Sequence, residues 1–183
     1  ASTGAAFEAA LRAHAAAHEV GRALMIEELD HGLDTWQWAL RLDPGASLAV
    51  QLAALFHAVD RLDAASNERL EHRARSEAGA KHGGERTLTL LREAGVSETE
   101  SARVRDVLLG DERHEREVLL VDDADTLSFL SLASARYADH FGLAQTRRKV
   151  AYMVSRLGPA ARGKLSLVRL RPDVARLLQE IAA

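Results

Sequence analysis

Apolar residues recur at helical spacing along most of the chain, and the clearest run is LAVQLAALFHAVD at residues 48–60. Five apolar positions of this run share one helical face: Leu48, Leu52, Leu55, Phe56 and Val59. The spacing predicts a helix whose apolar face packs in the core. His57 lies on the flank of that face. It is typical of a packed core histidine, but it can also direct a ring nitrogen into a space between helices.

The rest of the pattern predicts more helices and no strand. The predicted helical segments are 5–29 with a break at Gly21, a helix carrying Leu29, Leu33, Trp36 and Leu40 that ends at the Asp43-Pro44-Gly45 turn, 80–93, 97–109, 119–140 before Gly142, 145–157 and 172–182. Ser47 is placed to cap one helix, and Ser97 with Glu100 forms a capping box for another. Residues 61–78 lack a clear period, which predicts a loop or a frayed helix. We therefore expect an all-α, single-domain helical bundle over residues 1–183.

Composition narrows the function classes. The chain has 183 residues, of which 47% are apolar, and it contains no cysteine, which excludes disulfides and thiolate metal sites. Imidazole and carboxylate ligands for divalent ions remain available. The sequence has no apolar run of about 20 residues and no signal-peptide pattern, so we expect a soluble, cytoplasmic protein with no membrane segment.

Charge is unevenly distributed along the chain. From Gln145 onward there are nine Lys and Arg residues but only two acids, Asp173 and Glu180, although the net charge is −3. A basic region of this kind can attract an anionic ligand, or it can simply be a solvated helix face. The region lacks interleaved aromatic residues, which disfavours nucleic-acid binding. The Ala/Leu-rich N-terminal helix offers a surface through which a homodimer could pair.

Several histidines and aspartates could carry chemistry. His31 flanks the Leu29/Leu33 stripe, and His82 shares a face with Glu85 and Thr89; a solvated histidine is the plain alternative for each. Asp111 takes a position where the preceding pattern calls for an apolar residue, or it lies beyond the helix end. Asp123 lies in the run VDDADTLSF, aligned with an apolar face. Capping and the helix dipole account for the other acids of that run better than for Asp123.

Together these residues resemble the HD-domain superfamily of helical, metal-dependent phosphohydrolases. In that pattern one histidine opens a helix, a His-Asp pair ends a later apolar helix, and a distal aspartate lies in a D-A-D-x-L run. His31 matches the first position, His57 matches the histidine of the pair, and Asp123-Ala124-Asp125-Thr126-Leu127 is similar to the distal run. The resemblance covers roughly residues 25–135.

The resemblance implies a divalent metal ion (Mn, Zn, Fe or Mg) held by His31, His57 and Asp123, with His82 and Asp111 at positions where multi-metal members have further ligands. Such a metal supplies Lewis-acid chemistry for phosphoryl transfer. A three-ligand centre would keep positions open for water.

The chain also departs from the family pattern. Ala58 stands where the family has the aspartate of the His-Asp pair, which removes an anionic ligand and argues against a two-iron oxidase. Asp60 could replace the missing carboxylate, and Arg61, one turn after the histidine, could meet a phosphate. Asp111 stands where a histidine is usual, and His114 could substitute for it.

Two functions follow as expectations. One is a divergent HD-type hydrolase of a phosphate ester, such as a nucleotide, with a depleted metal site. The other is a catalytically inactive HD-like module that binds a ligand or a partner protein. A plain helical scaffold with scattered histidines is a third alternative.

Overall fold

The protein is described here by a computed structural model that covers residues 3–18, 23–59 and 77–182. Its α-helices are α1 Thr3–His18, α2 Ala23–Leu42, α3 Leu48–Phe56, α4 Glu77–Glu93, α5 Glu98–Leu108, α6 Glu115–Ser128, α7 Ser134–Ser155, α8 Pro159–Lys164 and α9 Pro172–Ala182. Short 3-10 turns span Glu112–His114 and Leu165–Leu167, and a π-helical turn spans Phe129–Ala133. The described ranges contain no strand, which confirms the all-α prediction.

Helix α3 is the centre of the core. Every residue of α3 except Leu48 and Gln51 is buried, and the helix packs against α1, α2, α5 and α6. Because it is covered on all sides, its sequence is apolar around most of its circumference rather than along one stripe. The helix that carries His57 at its end is therefore held by the best-packed part of the protein.

The predicted caps and breaks mostly agree with the structure. The Ser47 hydroxyl accepts a hydrogen bond from the Val50 N–H at 3.3 Å, and the Ser97 hydroxyl accepts one from the Glu100 N–H at 3.3 Å. Gly142 has φ 78° and ψ 162°, so it kinks α7 where the sequence predicted a stop. The predicted break at Gly21 and most of the predicted 61–78 loop lie outside the described residues.

The short helix α8 and the π-helical turn were not predicted from the sequence. Helix α8 is six residues long, with Gly158 at its N-cap and Pro159 as its first residue, and it lies between the predicted helices 145–157 and 172–182. The π-helical turn directly follows Ser128 and adds a residue to the helical path between α6 and α7. Such turns are frequent at functional sites.

Helices α2 and α3 approach closely at Gly32. A Cβ atom at this position would lie 2.7 Å from the Leu55 carbonyl oxygen and 2.9 Å from His14 Nε2, which is too close for any other residue. Glycine therefore lets the backbone of α2 approach α3 at the level of His31.

None of the helices in the described part of the chain has the length and apolar character that a bilayer span requires.

Candidate metal centre

Three side chains from three helical segments converge at one point beside the core. His31 Nε2 lies 2.8 Å from Asp125 Oδ1, His57 Nε2 lies 3.1 Å from the same oxygen, and the two Nε2 atoms are 3.2 Å apart. His31 lies in α2, His57 is the C-cap residue of α3, and Asp125 lies in α6. Within the described residues this is the one group of three such side chains with a geometry that could hold a metal ion.

The ring of His57 is oriented by the backbone. Its Nδ1 lies 2.7 Å from the Ala54 carbonyl oxygen. A carbonyl oxygen can only accept a hydrogen bond, so Nδ1 must carry the proton. In the neutral ring Nε2 is then left with a free lone pair, which points at Asp125 and His31.

The ring of His31 is oriented in the same way by Ser128. Its Nδ1 lies 2.9 Å from the Ser128 Oγ, and that hydroxyl donates its own proton to the His31 carbonyl oxygen at 3.3 Å. Since the hydroxyl proton is used, Oγ accepts from His31 Nδ1–H. His31 Nε2 therefore also directs a lone pair at Asp125. Ser128 is fully buried, so water does not compete for this bond.

With both rings in these neutral tautomers, the cluster brings together three electron-pair donors: two imidazole nitrogens and a carboxylate oxygen. Two imidazole nitrogens and a carboxylate oxygen that lie this close repel one another unless a cation is shared among them. The cation can be a metal ion or an extra proton on one imidazole. Metal-binding histidines usually donate their other ring N–H to a carbonyl or a similar acceptor, as both histidines do here.

The residues fit a divalent metal ion. Ligand atoms about 2.1 Å from one ion lie about 3.0 Å apart at right angles and about 3.4 Å apart in a tetrahedral set. The observed separations of 2.8, 3.1 and 3.2 Å are closer to the right-angled set. Two imidazoles with one carboxylate suit Zn, Fe or Mn better than Mg, which prefers oxygen ligands.

The carboxylate in this cluster is Asp125, whereas the sequence analysis expected Asp123. Asp123 Oδ1 instead accepts a hydrogen bond from the Gly158 N–H at 3.0 Å, on the side of α6 that faces α8. Burial raises the pKa of Asp123 above its ordinary value, against the opposing effect of the Gly158 bond. The correction has a geometric reason: residues two apart on a helix point in nearly opposite directions, so only one of the two aspartates can face α2.

Asp111 takes part in local structure. Its carboxylate caps the Glu112–His114 turn and pairs with Arg113 at 2.7 Å, which lowers the pKa of Asp111 to about 2. His114 lies beside Glu117, with Nδ1 3.3 Å from Oε2. Neither Asp111 nor His114 belongs to the convergent group.

The remaining sequence candidates are only partly described. The backbone of His82 lies in α4, but its side chain is outside the described residues, as are Asp60 and Arg61 entirely. Their proposed roles stay predictions. Ala58, which the sequence analysis compared with the aspartate of the HD-domain His-Asp pair, is fully buried.

Sequence reasoning missed Asp125 and Ser128. The two residues are three positions apart on α6 and therefore share a face. A pair of short polar side chains at this spacing, beside apolar Leu127 and Leu130, is a signal that α6 carries a second, polar stripe toward another helix.

Comparison with known proteins gives one finding. A family model described as "Domain of unknown function (DUF4202)" matches residues 3–178, a range that includes His31, His57 and Asp125. No curated protein and no solved structure matches the chain significantly.

Proposed function

We propose that this chain, which belongs to the family of the domain of unknown function DUF4202, is a metal-dependent hydrolase of phosphate esters that holds one divalent ion with His31, His57 and Asp125. The observation that supports the proposal is the convergence of the two Nε2 lone pairs on Asp125 Oδ1. The likeness of the sequence to HD-domain phosphohydrolases indicates the reaction type.

Each residue of the centre has a separate task. A divalent ion held there supplies Lewis-acid chemistry for phosphoryl transfer. His31 and His57 provide neutral donors, and their hydrogen bonds to Ser128 and Ala54 keep the rings from rotating away. Asp125 contributes the only negative charge of the three, so a divalent ion keeps a net positive charge that attracts an anionic phosphate.

Burial indicates the direction from which a substrate arrives. The side chains of His31 and His57 are each 8% exposed, whereas the side chain of Asp125 is 22% exposed. The centre therefore opens toward solvent beside Asp125, and the histidines form its closed end. Arg61, expected to meet the phosphate, stays a prediction.

Ala58 favours the second candidate, an inactive module of the same fold. Ala58 is fully buried next to His57 and offers no ligand atom. The centre therefore has one anionic ligand fewer than the HD-domain pattern. A centre with a single carboxylate binds divalent ions less tightly than one with two.

The first experiment is elemental analysis of the protein purified without chelator. We expect about one divalent ion per chain in the native protein and a loss of that ion in His57→Ala. His140→Ala is the matched control, because His140 is exposed and lies on α7 outside the centre. Protein that stays metal-free even in excess Zn²⁺, Mn²⁺ or Fe²⁺ would rule out the metal centre.

The second experiment separates the hydrolase from the inactive module. A panel of phosphate esters is assayed with the metal-loaded native protein and with Ala58→Asp. We expect hydrolysis that follows metal content and rises in Ala58→Asp. A loaded native protein without activity, together with an Ala58→Asp variant that gains neither metal affinity nor activity, would leave the inactive module as the function.

A further inference from the structure

We propose that Tyr152 and Arg156 form the substrate-binding wall of the metal centre and select phosphate esters whose organic part carries a flat aromatic ring, as nucleotides do. This inference rests on the function proposed above and names its class of substrate. Tyr152 lies in the half of α7 that follows the kink at Gly142, and Arg156 is the C-cap residue of the same helix. In the proposed complex Arg156 holds the phosphate and Tyr152 holds the ring.

Two contacts place this part of α7 beside the opening of the centre. The Arg156 guanidinium lies 3.8 Å from Asp122 Oδ2. The Lys149 ammonium lies 4.6 Å from the centre of the Phe129 ring. Asp122 precedes Asp125 by three residues and Phe129 follows it by four, so both lie on the helical face of Asp125. The end of α7 therefore runs alongside the ligand carboxylate, in the opposite direction to α6.

Tyr152 lies between these two contacts. It follows Lys149 by three residues and precedes Arg156 by four, so the three side chains share one face of α7. Because the contacts of that face lie on either side of Asp125, Tyr152 is at the level of Asp125. It is 55% exposed, and all the other Phe, Tyr and Trp side chains, which also lie within the described residues, are half-buried or buried. Its ring is therefore an aromatic surface on which a ligand at the opening can stack.

Arg156 is held in place and still has hydrogen-bond donors for a ligand. It donates one bond to the Tyr152 hydroxyl at 2.6 Å, and its guanidinium carbon lies 5.5 Å from the centre of the Tyr152 ring. Its distance of 3.8 Å to Asp122 is too long for a hydrogen bond. A guanidinium has five N–H donors, in a fork that fits two phosphate oxygens. The bond to Tyr152 therefore fixes the position of the fork and leaves most of its donors for a phosphate.

This arrangement selects the class of ligand. Asp122 and Asp125 are one helical turn apart, with about 5–6 Å between their Cβ atoms, so a phosphate bound at the centre can also reach Arg156. Tyr152 is bonded to Arg156 and therefore lies next to the ester group of such a ligand. An aromatic ring attached close to the phosphate can stack on Tyr152, whereas an aliphatic group would leave that ring without a stacking partner.

The test compares two phosphonates that cannot be hydrolysed. Benzylphosphonate and cyclohexylmethylphosphonate have the same charge and nearly the same size, but only the first has an aromatic ring. Each is titrated into the zinc-loaded full chain by calorimetry, and the metal content of the same samples is measured. We expect benzylphosphonate to bind about three- to tenfold more tightly, because its ring stacks on Tyr152.

Variants assign the two parts of the wall. Tyr152→Leu should abolish the preference for the aromatic phosphonate, and Tyr152→Phe, which keeps the ring, should retain it. Arg156→Gln should weaken the binding of both phosphonates about tenfold, since it removes charged hydrogen-bond donors, and should leave the preference unchanged. Arg169→Gln removes the same charge from an exposed residue before α9 and should bind both phosphonates normally. The zinc content should be the same in all four variants, because none of them changes a ligand.

The outcomes separate this inference from the proposed function. A zinc-loaded protein that binds the two phosphonates equally, or a preference that survives in Tyr152→Leu, would overturn the inference and leave the metal centre in place. Equal weakening in Arg156→Gln and Arg169→Gln would do the same. A loaded protein that shows the expected preference but hydrolyses no phosphate ester would remove the hydrolase and support the binding wall. A protein that takes up no zinc would overturn both.

Discussion

Two clusters of histidine and carboxylate side chains in this protein differ in which groups surround their carboxylates. The first is the centre of His31, His57 and Asp125. The second, called the Glu117 cluster, lies where α5 is connected to α6. It contains Arg103, Asp111, Arg113, His114 and Glu117. Glu117 accepts hydrogen bonds from Arg103 at 2.7 and 3.1 Å and from the Ser47 hydroxyl at 3.0 Å.

The difference lies in what supplies the positive charge. In the Glu117 cluster each carboxylate has an arginine within hydrogen-bond distance, so the chain itself neutralises it. In the centre the donors are two imidazoles whose protons already point away toward Ala54 and Ser128. Acidic residues alone therefore do not mark a cation site; the distinguishing feature is the pair of imidazole Nε2 atoms directed at one carboxylate oxygen.

The largest expected effect comes from removing the carboxylate of the centre. Asp125→Asn should weaken metal binding at least about 100-fold, since even a residue that only orients a ligand contributes 10- to 100-fold. The measurement is a metal titration followed by calorimetry. Asp123→Asn is the matched control and should have little effect, because Asp123 faces Gly158. Equal losses in the two variants would contradict the assignment of Asp125.

A smaller effect is expected from Ser128→Ala, which leaves the three ligands intact. Without the hydroxyl, His31 Nδ1–H loses its acceptor and the ring loses its fixed orientation. We expect metal affinity to fall about 10- to 100-fold in the same titration. Ser131→Ala, one turn later, removes a hydroxyl that bonds Asp34 and should bind metal normally. Unchanged affinity in Ser128→Ala would show that the His31 ring needs no such support.

The Glu117 cluster should respond to substitution in stability alone. Arg103→Ala removes an ion pair at a partly exposed site, which should lower the free energy of unfolding by no more than about 1 kcal/mol. Metal binding should not change. Urea denaturation measures the first quantity and the metal titration the second, with exposed Arg148→Ala as the control for loss of an arginine. A fall in metal affinity would mean that the two clusters are coupled.

The smallest effects are expected from pH, and they have opposite signs at Asp111 and Asp123. The pKa of Asp111 is lowered to about 2 by Arg113, so its stabilising contribution is complete above its ordinary pKa of 3.8 and is lost as pH falls toward 2. Burial raises the pKa of Asp123, so that residue favours folding at low pH and loses this contribution as pH rises through its raised pKa.

Carbon-13 NMR of the carboxyl groups measures both pKa values. Arg113→Ala should bring the pKa of Asp111 back toward 3.8 and leave that of Asp123 in place. A common shift of both would indicate a long-range charge effect rather than a local pair. Arg116→Ala serves as the control for the change in net charge.

The fold was largely predictable because each helix is specified mainly by residues that lie close together in the sequence. The apolar run of α3, the cap at Ser47 and the break at Gly142 each depend on residues within a few positions of one another. The π-helical turn was not predictable in this way, because no capping residue, glycine or proline in Phe129–Ala133 marks a change of helix type.

The site was predictable only in part. His31 and His57 were found because each stands on the flank of an apolar stripe, and the structure brings them together. The choice between Asp123 and Asp125 depends on the rotation of α6 about its own axis. That rotation is fixed by packing against α2, so it cannot be obtained from the residues of α6 alone.

Gly32 has a consequence for how this centre can change over evolutionary time. It donates nothing to any ligand, yet a methyl group there would meet the Leu55 carbonyl oxygen at 2.7 Å and push α2 away from α3. In a saturation-mutagenesis survey that selects for the proposed activity, we therefore expect substitutions at position 32 to be tolerated as poorly as substitutions of His31, His57 and Asp125. Because its requirement is purely one of space, no chemically conservative replacement exists, and a lineage that loses this glycine is expected to lose the pairing of His31 with His57.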